Sequence, residues 1–162
     1  MLSQKILKAI NTQINKELYS AYVYQGMSNY LNRENLRGMS AWMQKQAAEE
    51  LGHAQKLISY VYDRGEHVEL MAIDAPRNEY ESALNVFEEG LSHEKFISAS
   101  ISDLVFLARE EKDIPTENFF SWFVSEQVEE EANFSSIVDR LKKVDGSAAG
   151  LIMIDGQLGE RE

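Results

Sequence analysis

Four long segments in which apolar side chains recur every 3.5 to 3.6 residues constrain the fold of this 162-residue chain more than any other feature. That spacing predicts amphipathic helices, the first over about Ser3–Leu31, the second over about Leu36–Arg64 and the third over about Ser82–Glu111. A proline-containing turn at 113–116 precedes the fourth, which is expected to start after Thr116 as its N-cap and continue to about Val144. A short fifth helix is expected over about Ala148–Leu158.

The lengths of the connections favour one topology for these helices. Only a few residues join the first helix to the second and the third to the fourth, so each of these pairs should be antiparallel. Between the second and third helices lie about 17 residues, Gly65–Glu81. Extended, they could reach about 56 Å, more than the roughly 42 Å of a 28-residue helix. The sequence therefore predicts an all-α, single-domain protein over residues 1–162, with a four-helix bundle at about 3–144, one long crossover and a short fifth helix.

Composition excludes several classes of function. The net charge of −11 disfavours a nucleic-acid partner and favours cations. The chain has no cysteine, which rules out disulfides, thiolate metal sites and cysteine nucleophiles. The opening MLSQKILKAI lacks the apolar run of a signal peptide, and no later run is long enough to span a membrane. These observations predict a soluble protein of the cytoplasm.

Acidic side chains interrupt the apolar stripe of each long helix near its middle. They are Glu17, Glu50, Glu94 and Glu130, and one turn away lie His53 and Gln127. Mid-helix positions share one height in an antiparallel bundle, so all six should meet in one buried layer. A buried carboxylate without a partner costs several kcal/mol. A salt-bridge network could explain a single such glutamate, but no lysine or arginine occupies the stripes at this level.

A pair of bound metal ions accounts for all six residues together. Protonation could neutralise two of the acids, but four converging carboxylates are hard to explain in that way. Oxygen-rich ligands with one imidazole and no sulfur suit iron or manganese better than zinc. Four glutamates, one of them able to bridge, can hold two ions about 3.5–4 Å apart. Open positions on such ions would admit water, dioxygen or peroxide, which suggests redox chemistry on the metal.

The chain resembles the bacterial-type non-haem ferritins over essentially its whole length. The resemblance is carried by NKELYSAYVYQ, KQAAEELGHAQKL, HEKF and WFVSEQVEEE. It implies a ferroxidase centre with one iron on Glu17, Glu50 and His53. It implies a second iron on Glu50, Glu94 and Glu130, with Gln127 close by and Glu50 bridging. A tyrosine that matches Tyr24 lies beside this centre in the family, and its position two turns after Glu17 permits contact.

The resemblance also implies a third iron site beside the first two, with ligands that match Glu49, Glu126, Glu129 and Glu130. Residues 126, 129 and 130 share one helical face, although an acidic run such as 129–131 is also typical of a solvated surface. Bacterioferritin carries a haem-ligating methionine in its second helix and a histidine where this chain has Glu130. Haem is not expected here, because Leu51 in the EExxH context cannot bind it. Rubrerythrins need cysteine pairs that this chain lacks, and the small starvation-type ferritins have a different histidine pattern.

Three functions fit these residues. The first is an iron-storage protein that oxidises Fe(II) with O2 or H2O2 and deposits ferric mineral inside a hollow homo-oligomer, which by resemblance has 24 subunits. The second is a di-iron oxidase or peroxide scavenger without a cavity. The third is a structural bundle whose acids bind stray divalent ions. Apolar side chains off the main stripe favour assembly: Leu18, Tyr22, the alternating Val68, Leu70 and Ala72, and on the fifth helix Leu151, Ile154 and Leu158.

Overall fold

Five α-helices and no strand make up the computed structural model, which describes residues 1–162. The helices are α1 (Gln4–Arg33), α2 (Arg37–Asp63), α3 (Ala83–Glu110), α4 (Ile114–Val144) and α5 (Ala148–Gly159). The all-α class, the four long helices and the short fifth helix are confirmed. None of the helices combines the length and apolar character needed to cross a membrane.

Local capping explains where these helices begin and end. Ser3 caps α1 as expected, since its hydroxyl accepts the N–H of Ile6 at 3.2 Å. Ser82 caps α3 in the same way through the N–H of Asn85. Gly65 follows α2 with φ of +76°, a conformation that glycine adopts without a steric penalty.

The prediction that Thr116 caps α4 is wrong. The cap is Asp113, whose carboxylate accepts the N–H of Thr116 at 3.1 Å. Pro115 fits the first turn of a helix because an N–H is not needed there, so α4 extends upstream of the predicted start. Thr116 lies inside that first turn, where its buried hydroxyl bonds the hydroxyl of Tyr60 at 2.8 Å.

Two separate apolar clusters fill the two ends of the bundle and define the directions of the helices. One cluster joins the start of α1, the end of α2, the end of α3 and the start of α4, as in Ile6, Leu57, Leu104 and Phe120. The other joins the opposite ends, as in Tyr24, Met39, Phe87 and Phe134. Consequently α2 runs antiparallel to α1, α3 runs parallel to α2, and α4 runs antiparallel to α3.

The segment between α2 and α3 is the long crossover that the sequence predicts. It follows α1 from one end to the other, and side chains of α1 hold it at successive points. Asn11 accepts the N–H of Glu69 at 3.3 Å, and Asn15 donates to the carbonyl of Ala72 at 2.9 Å. Near the end of α1, the guanidinium of Arg33 pairs with Glu79.

The helices do not all approach one another equally. Helix α1 packs on α2 and α3, α3 packs on α4, and α5 packs on α2 and α4. No Cα atom of α2 comes within 8 Å of a Cα atom of α4. Only long side chains can therefore bridge the gap between α2 and α4. The polar residues of both helices meet in this gap.

Candidate metal centre

A layer of polar side chains lies between the two apolar clusters and belongs to neither. All four long helices contribute to it, and all its members are buried: Gln13, Glu17, Gln46, Glu50, His53, Glu94, Gln127 and Glu130. Helix periodicity explains why these residues point inward, because each occupies a stripe position otherwise filled by apolar side chains. The structure thus places all four glutamates of the predicted layer, with His53 and Gln127, at the centre of the bundle.

The first group in this layer consists of Glu17, Glu50 and His53. One ligand atom from each lies within 4.8 Å of the others. His53 Nδ1 is 3.1 Å from Glu50 Oε2 and 4.0 Å from Glu17 Oε2. Two carboxylate oxygens of the group, Glu17 Oε2 and Glu50 Oε1, are buried without any hydrogen-bond partner. Buried polar atoms in native proteins are almost always paired, so these two oxygens require either a proton shared between the two carboxyls or a cation.

Glu94 is held by two donors from other helices. The Tyr24 hydroxyl donates to its Oε1, and the Gln127 amide donates to its Oε2 at 2.9 Å. Tyr24 thus lies beside the centre, where it contacts the acid on α3. The ring of Tyr24 stacks on Phe134 with centroids 5.6 Å apart, which fixes the direction of the hydroxyl.

Glu130 belongs to a second group on the side of α4. Its ligand atom lies within 4.8 Å of those of His53 and Glu126, and His53 Nε2 is 3.9 Å from Glu126 Oε1. Glu130 Oε2 also accepts a hydrogen bond of 2.8 Å from the amide of Gln46. His53 belongs to both groups, because its Nδ1 faces Glu50 and Glu17 while its Nε2 faces Glu126. Trp122 and Phe123 pack edge-on against the imidazole, with centroids 5.5 and 5.9 Å away.

Three of the predicted carboxylate ligands, and the amide of Gln127, lie outside these two groups. Glu94 is held as described, by Tyr24 and Gln127. Glu49 is exposed, and both its carboxylate oxygens accept hydrogen bonds of 2.8 Å from Arg161. Glu129 is exposed on α4 and has no hydrogen bond to another side chain. The structure therefore assembles two clusters of three ligands, Glu17–Glu50–His53 and His53–Glu126–Glu130.

Two glutamines of the layer were not among the predicted site residues. Gln13 donates to Glu17 at 2.7 Å and accepts from the Ser100 hydroxyl at 2.6 Å, and Ser100 in turn accepts from Lys16 at 2.6 Å. Gln46 supports Glu130. Both are visible in the sequence as amides one turn before a stripe glutamate, at i−4 from Glu17 and from Glu50. Such amides orient carboxylates without adding charge.

Burial makes the acids of this layer hold their protons. Burial raises the pKa of Glu17 and Glu50 well above the usual range, and the charge of a neighbouring glutamate adds to the effect. Burial also raises the pKa of Glu94, with opposing contributions from its Tyr24 and Gln127 hydrogen bonds. For Glu130, burial and the charge of Glu94 raise the pKa to about 7. Without a cation, the layer is therefore least costly when partly protonated.

We expect the metal-free protein to become less stable as the pH rises from about 4.5 to about 7. In this window the carboxyl of Glu130 is protonated in the folded state and ionised in the unfolded state, so the folded state binds more protons and loses stability with rising pH. A shift from 4.5 to about 7 corresponds to roughly 3 kcal/mol. Urea denaturation of the metal-free protein at pH 5 and pH 7.5 measures this difference.

The matched variant is Glu130→Gln, which removes the titrating group and keeps an oxygen that can accept from Gln46. Its free energy of unfolding should fall less between the two pH values than that of the unmodified chain. Glu129→Gln, on the exposed side of the same helix, should behave like the unmodified chain. An equal fall in all three proteins would contradict the assignment of Glu130 as a buried, proton-holding acid.

The donor set of the layer fits a hard or borderline divalent cation. Several carboxylates and one imidazole converge, sulfur ligands are absent, and two carboxylate oxygens have no other partner. No lysine or arginine forms an ion pair with Glu17 or Glu50. Divalent cations would satisfy the orphaned oxygens and replace the protons that the acids otherwise retain.

Comparison with known proteins agrees with this geometry. The sequence pattern of the ferritin-like domain matches residues 7–144. The chain is 43% identical to a bacterial non-heme ferritin of Campylobacter jejuni over 155 residues, which cover 96% of this chain and 93% of that one. It is 42% identical to a bacterial non-heme ferritin of Bacteroides fragilis over 161 residues, covering 99% of this chain and all of the relative.

Solved structures show the same relationship in three dimensions. An open pore ferritin from the hyperthermophilic archaeon Archaeoglobus fulgidus superimposes with a TM-score of 0.99 at 41% identity, covering 100% of this chain and 99% of that one. A closed form of that ferritin made by site-directed mutagenesis superimposes equally well, at 42% identity. The family match, the sequence identity and the shared architecture agree, and the chain belongs to the ferritin family.

Proposed function

We propose that this protein stores iron and is a ferroxidase, oxidising Fe(II) to Fe(III) at an acidic centre inside each chain and retaining the ferric product in a hollow shell. Membership of the ferritin family supports iron storage. The observation that carries the ferroxidase assignment is the pair of unpartnered, fully buried oxygens, Glu17 Oε2 and Glu50 Oε1, beside His53. Such atoms in an acidic layer call for a cation, and in this family the cation is the substrate iron.

The proposed binding positions follow the helices that meet in the layer. Glu17, Glu50 and His53 would bind one Fe(II), and they already lie close enough to do so. Glu50, Glu94 and Glu130, with Gln127 close by, would bind the second. Each carboxylate oxygen has two lone pairs, so Glu94 can bind iron while it still accepts from Tyr24 and Gln127. A third, weaker position would use Glu49, Glu126, Glu129 and Glu130.

The overall oxidation balances with either oxidant. Two Fe(II) give up one electron each, and O2 takes both electrons and two protons to become H2O2. With H2O2 as the oxidant, the same two electrons and two protons give two molecules of water. The acids act when iron binds, before it is oxidised. Carboxyls that hold their protons in the metal-free protein release them as iron binds. We assign Tyr24 and Gln127 the role of fixing the orientation of Glu94.

Assembly into a homo-oligomer is part of the proposal. The exposed apolar side chains include two groups that a partner subunit would cover. One is formed by α1 and the crossover (Tyr22, Leu70, Met71 and Ile73), and the other by α5 (Ile152 and Met153). By resemblance to the family, the shell would contain 24 subunits related by closed symmetry.

A di-iron oxidase or peroxide scavenger without a storage cavity would use the same ligands, so assembly and iron retention must be measured together. We expect light scattering to report a large closed particle. After aerobic addition of Fe(II) in large excess over three ions per chain, gel filtration should show iron eluting with that particle well above three per chain. A small oligomer that retains no more than three ions per chain would favour the alternative.

The variant Glu50→Ala separates assembly from oxidation in this experiment. Glu50 lies in the interior of the bundle, away from both exposed apolar surfaces. The variant should form the same particle and load iron much more slowly. Loading at the rate of the unmodified chain would show that oxidation takes place outside the acidic layer.

A further inference from the structure

Arg161, which follows α5, reaches back over α2 and is held there by several contacts. Its Nη2 donates to both oxygens of Glu49 at 2.8 Å, so that one nitrogen spans the carboxylate. Its Nη1 donates to Gln46 Oε1 at 2.6 Å, and the guanidinium lies 4.6 Å from the ring centroid of Trp42. The side chain is only 21% exposed, so it is more fixed than a typical surface arginine.

These contacts connect Arg161 to the acidic layer through a single glutamine. Gln46 accepts from Arg161 through its oxygen, which turns its amide nitrogen toward Glu130 Oε2 at 2.8 Å. An arginine outside the bundle thereby fixes the orientation of a side chain that supports a proposed iron ligand. The positively charged guanidinium is also paired with Glu49, an acid that the proposed third iron position requires.

We propose that Arg161 is an internal competitor for the third iron position: its positive charge is paired with the Glu49 carboxylate, so iron binds at Glu49 more weakly while that ion pair is closed. Arg161 acts through Glu49 and Gln46, and it is therefore a positioning residue rather than a catalytic one. This inference rests on the proposed function, because the cation in question is the third iron of that proposal. It predicts that removing the arginine strengthens binding at this position, whereas a purely structural role would leave it unchanged or weaken it.

Anaerobic calorimetric titration with Fe(II) tests this proposal without any catalytic turnover. The unmodified chain should bind two Fe(II) tightly and a third more weakly. In Arg161→Ala the third should bind about two- to fivefold more tightly, the range expected when one partly exposed ion pair no longer competes. The first tight position, on Glu17, Glu50 and His53, should keep its affinity. Unchanged or weaker binding of the third ion in Arg161→Ala would overturn the proposal.

Two further variants separate the competition from general effects of losing an arginine. Arg161→Lys keeps the charge but has only one nitrogen, so it cannot bond Gln46 and Glu49 through two separate nitrogens as Arg161 does. Its affinity for the third ion should therefore lie between those of the unmodified chain and Arg161→Ala. Arg33→Ala removes a bidentate surface pair with Glu79, far from the layer, and should leave all three affinities unchanged. Fewer than two tight ions in the unmodified chain would instead contradict the proposed function itself.

Discussion

Replacing Glu130 with alanine should slow the rapid phase of iron oxidation at least about 100-fold, since even residues that only support metal ligands typically contribute 10–100-fold. Glu130 belongs to the His53–Glu126–Glu130 group, and the proposed second and third iron positions both require it. Stopped-flow absorbance after mixing the metal-free variant with O2 and two Fe(II) per chain measures the rate. Anaerobic titration of the same variant should show that one tightly bound Fe(II) is lost.

Glu129→Ala is the matched control on the same helix. Glu129 is exposed and belongs to neither of the two ligand groups, so its removal should leave the rapid phase within about twofold of the unmodified chain. Its effect should be confined to the third ion and the amount of oxygen consumed per iron. Rapid oxidation by Glu130→Ala at the rate of the unmodified chain would show that the buried layer is not the site of oxidation.

The second large effect is expected at Gly38, in the first turn of α2, where α5 packs closely. A Cβ atom there would lie 1.8 Å from the carbonyl oxygen of Asp155 and 3.0 Å from the backbone nitrogen of Gly159. Backbone atoms cannot move aside as a flexible side chain can, so Gly38→Ala must displace α5. Overpacking of this kind costs about 1–3 kcal/mol, and each kcal/mol lowers the Tm of a chain of this size by roughly 2–4 °C.

Gly52 provides the control for this substitution in the same helix. A Cβ at Gly52 would meet no atom within 4 Å, and the residue is exposed. Gly52→Ala should therefore raise stability by up to about 1 kcal/mol, the difference in helix propensity between the two residues. Thermal unfolding of both metal-free variants measures the contrast. A Tm of Gly38→Ala at or above that of the unmodified chain would show that α5 is not held at this contact.

The parts of this protein that the sequence predicts well are those governed by local periodicity. Apolar spacing gave the four long helices to within a few residues, and the length of the crossover gave their directions. The stripe glutamates could be identified for the same reason: a carboxylate at Glu17 or Glu50 stands out where the pattern calls for leucine. Burial of these acids then follows from the helix geometry alone.

The parts that could not be predicted depend on which side-chain atoms meet across helices. Periodicity placed Tyr24 near the layer, but only the structure shows that its hydroxyl reaches Glu94 and not Glu17. The pairing of Arg161 with Glu49 could not be predicted from the helix stripes, because this cation comes from the segment after α5. At the start of α4, Asp113 and Thr116 are both good caps, and the position of Pro115 decided between them.

The division of the apolar core into two clusters has a consequence for how the chain opens. In most helical bundles the middle of each helix is the part most resistant to local unfolding, and the ends fray first. Here apolar packing secures both ends, while the middle is joined by acids that repel one another once they ionise. Cations bound between the two clusters would replace that repulsion with shared ligands and make the two ends unfold as one cooperative unit. While it is bound, iron would then also set how strongly the unfolding of one end of the bundle is coupled to the unfolding of the other.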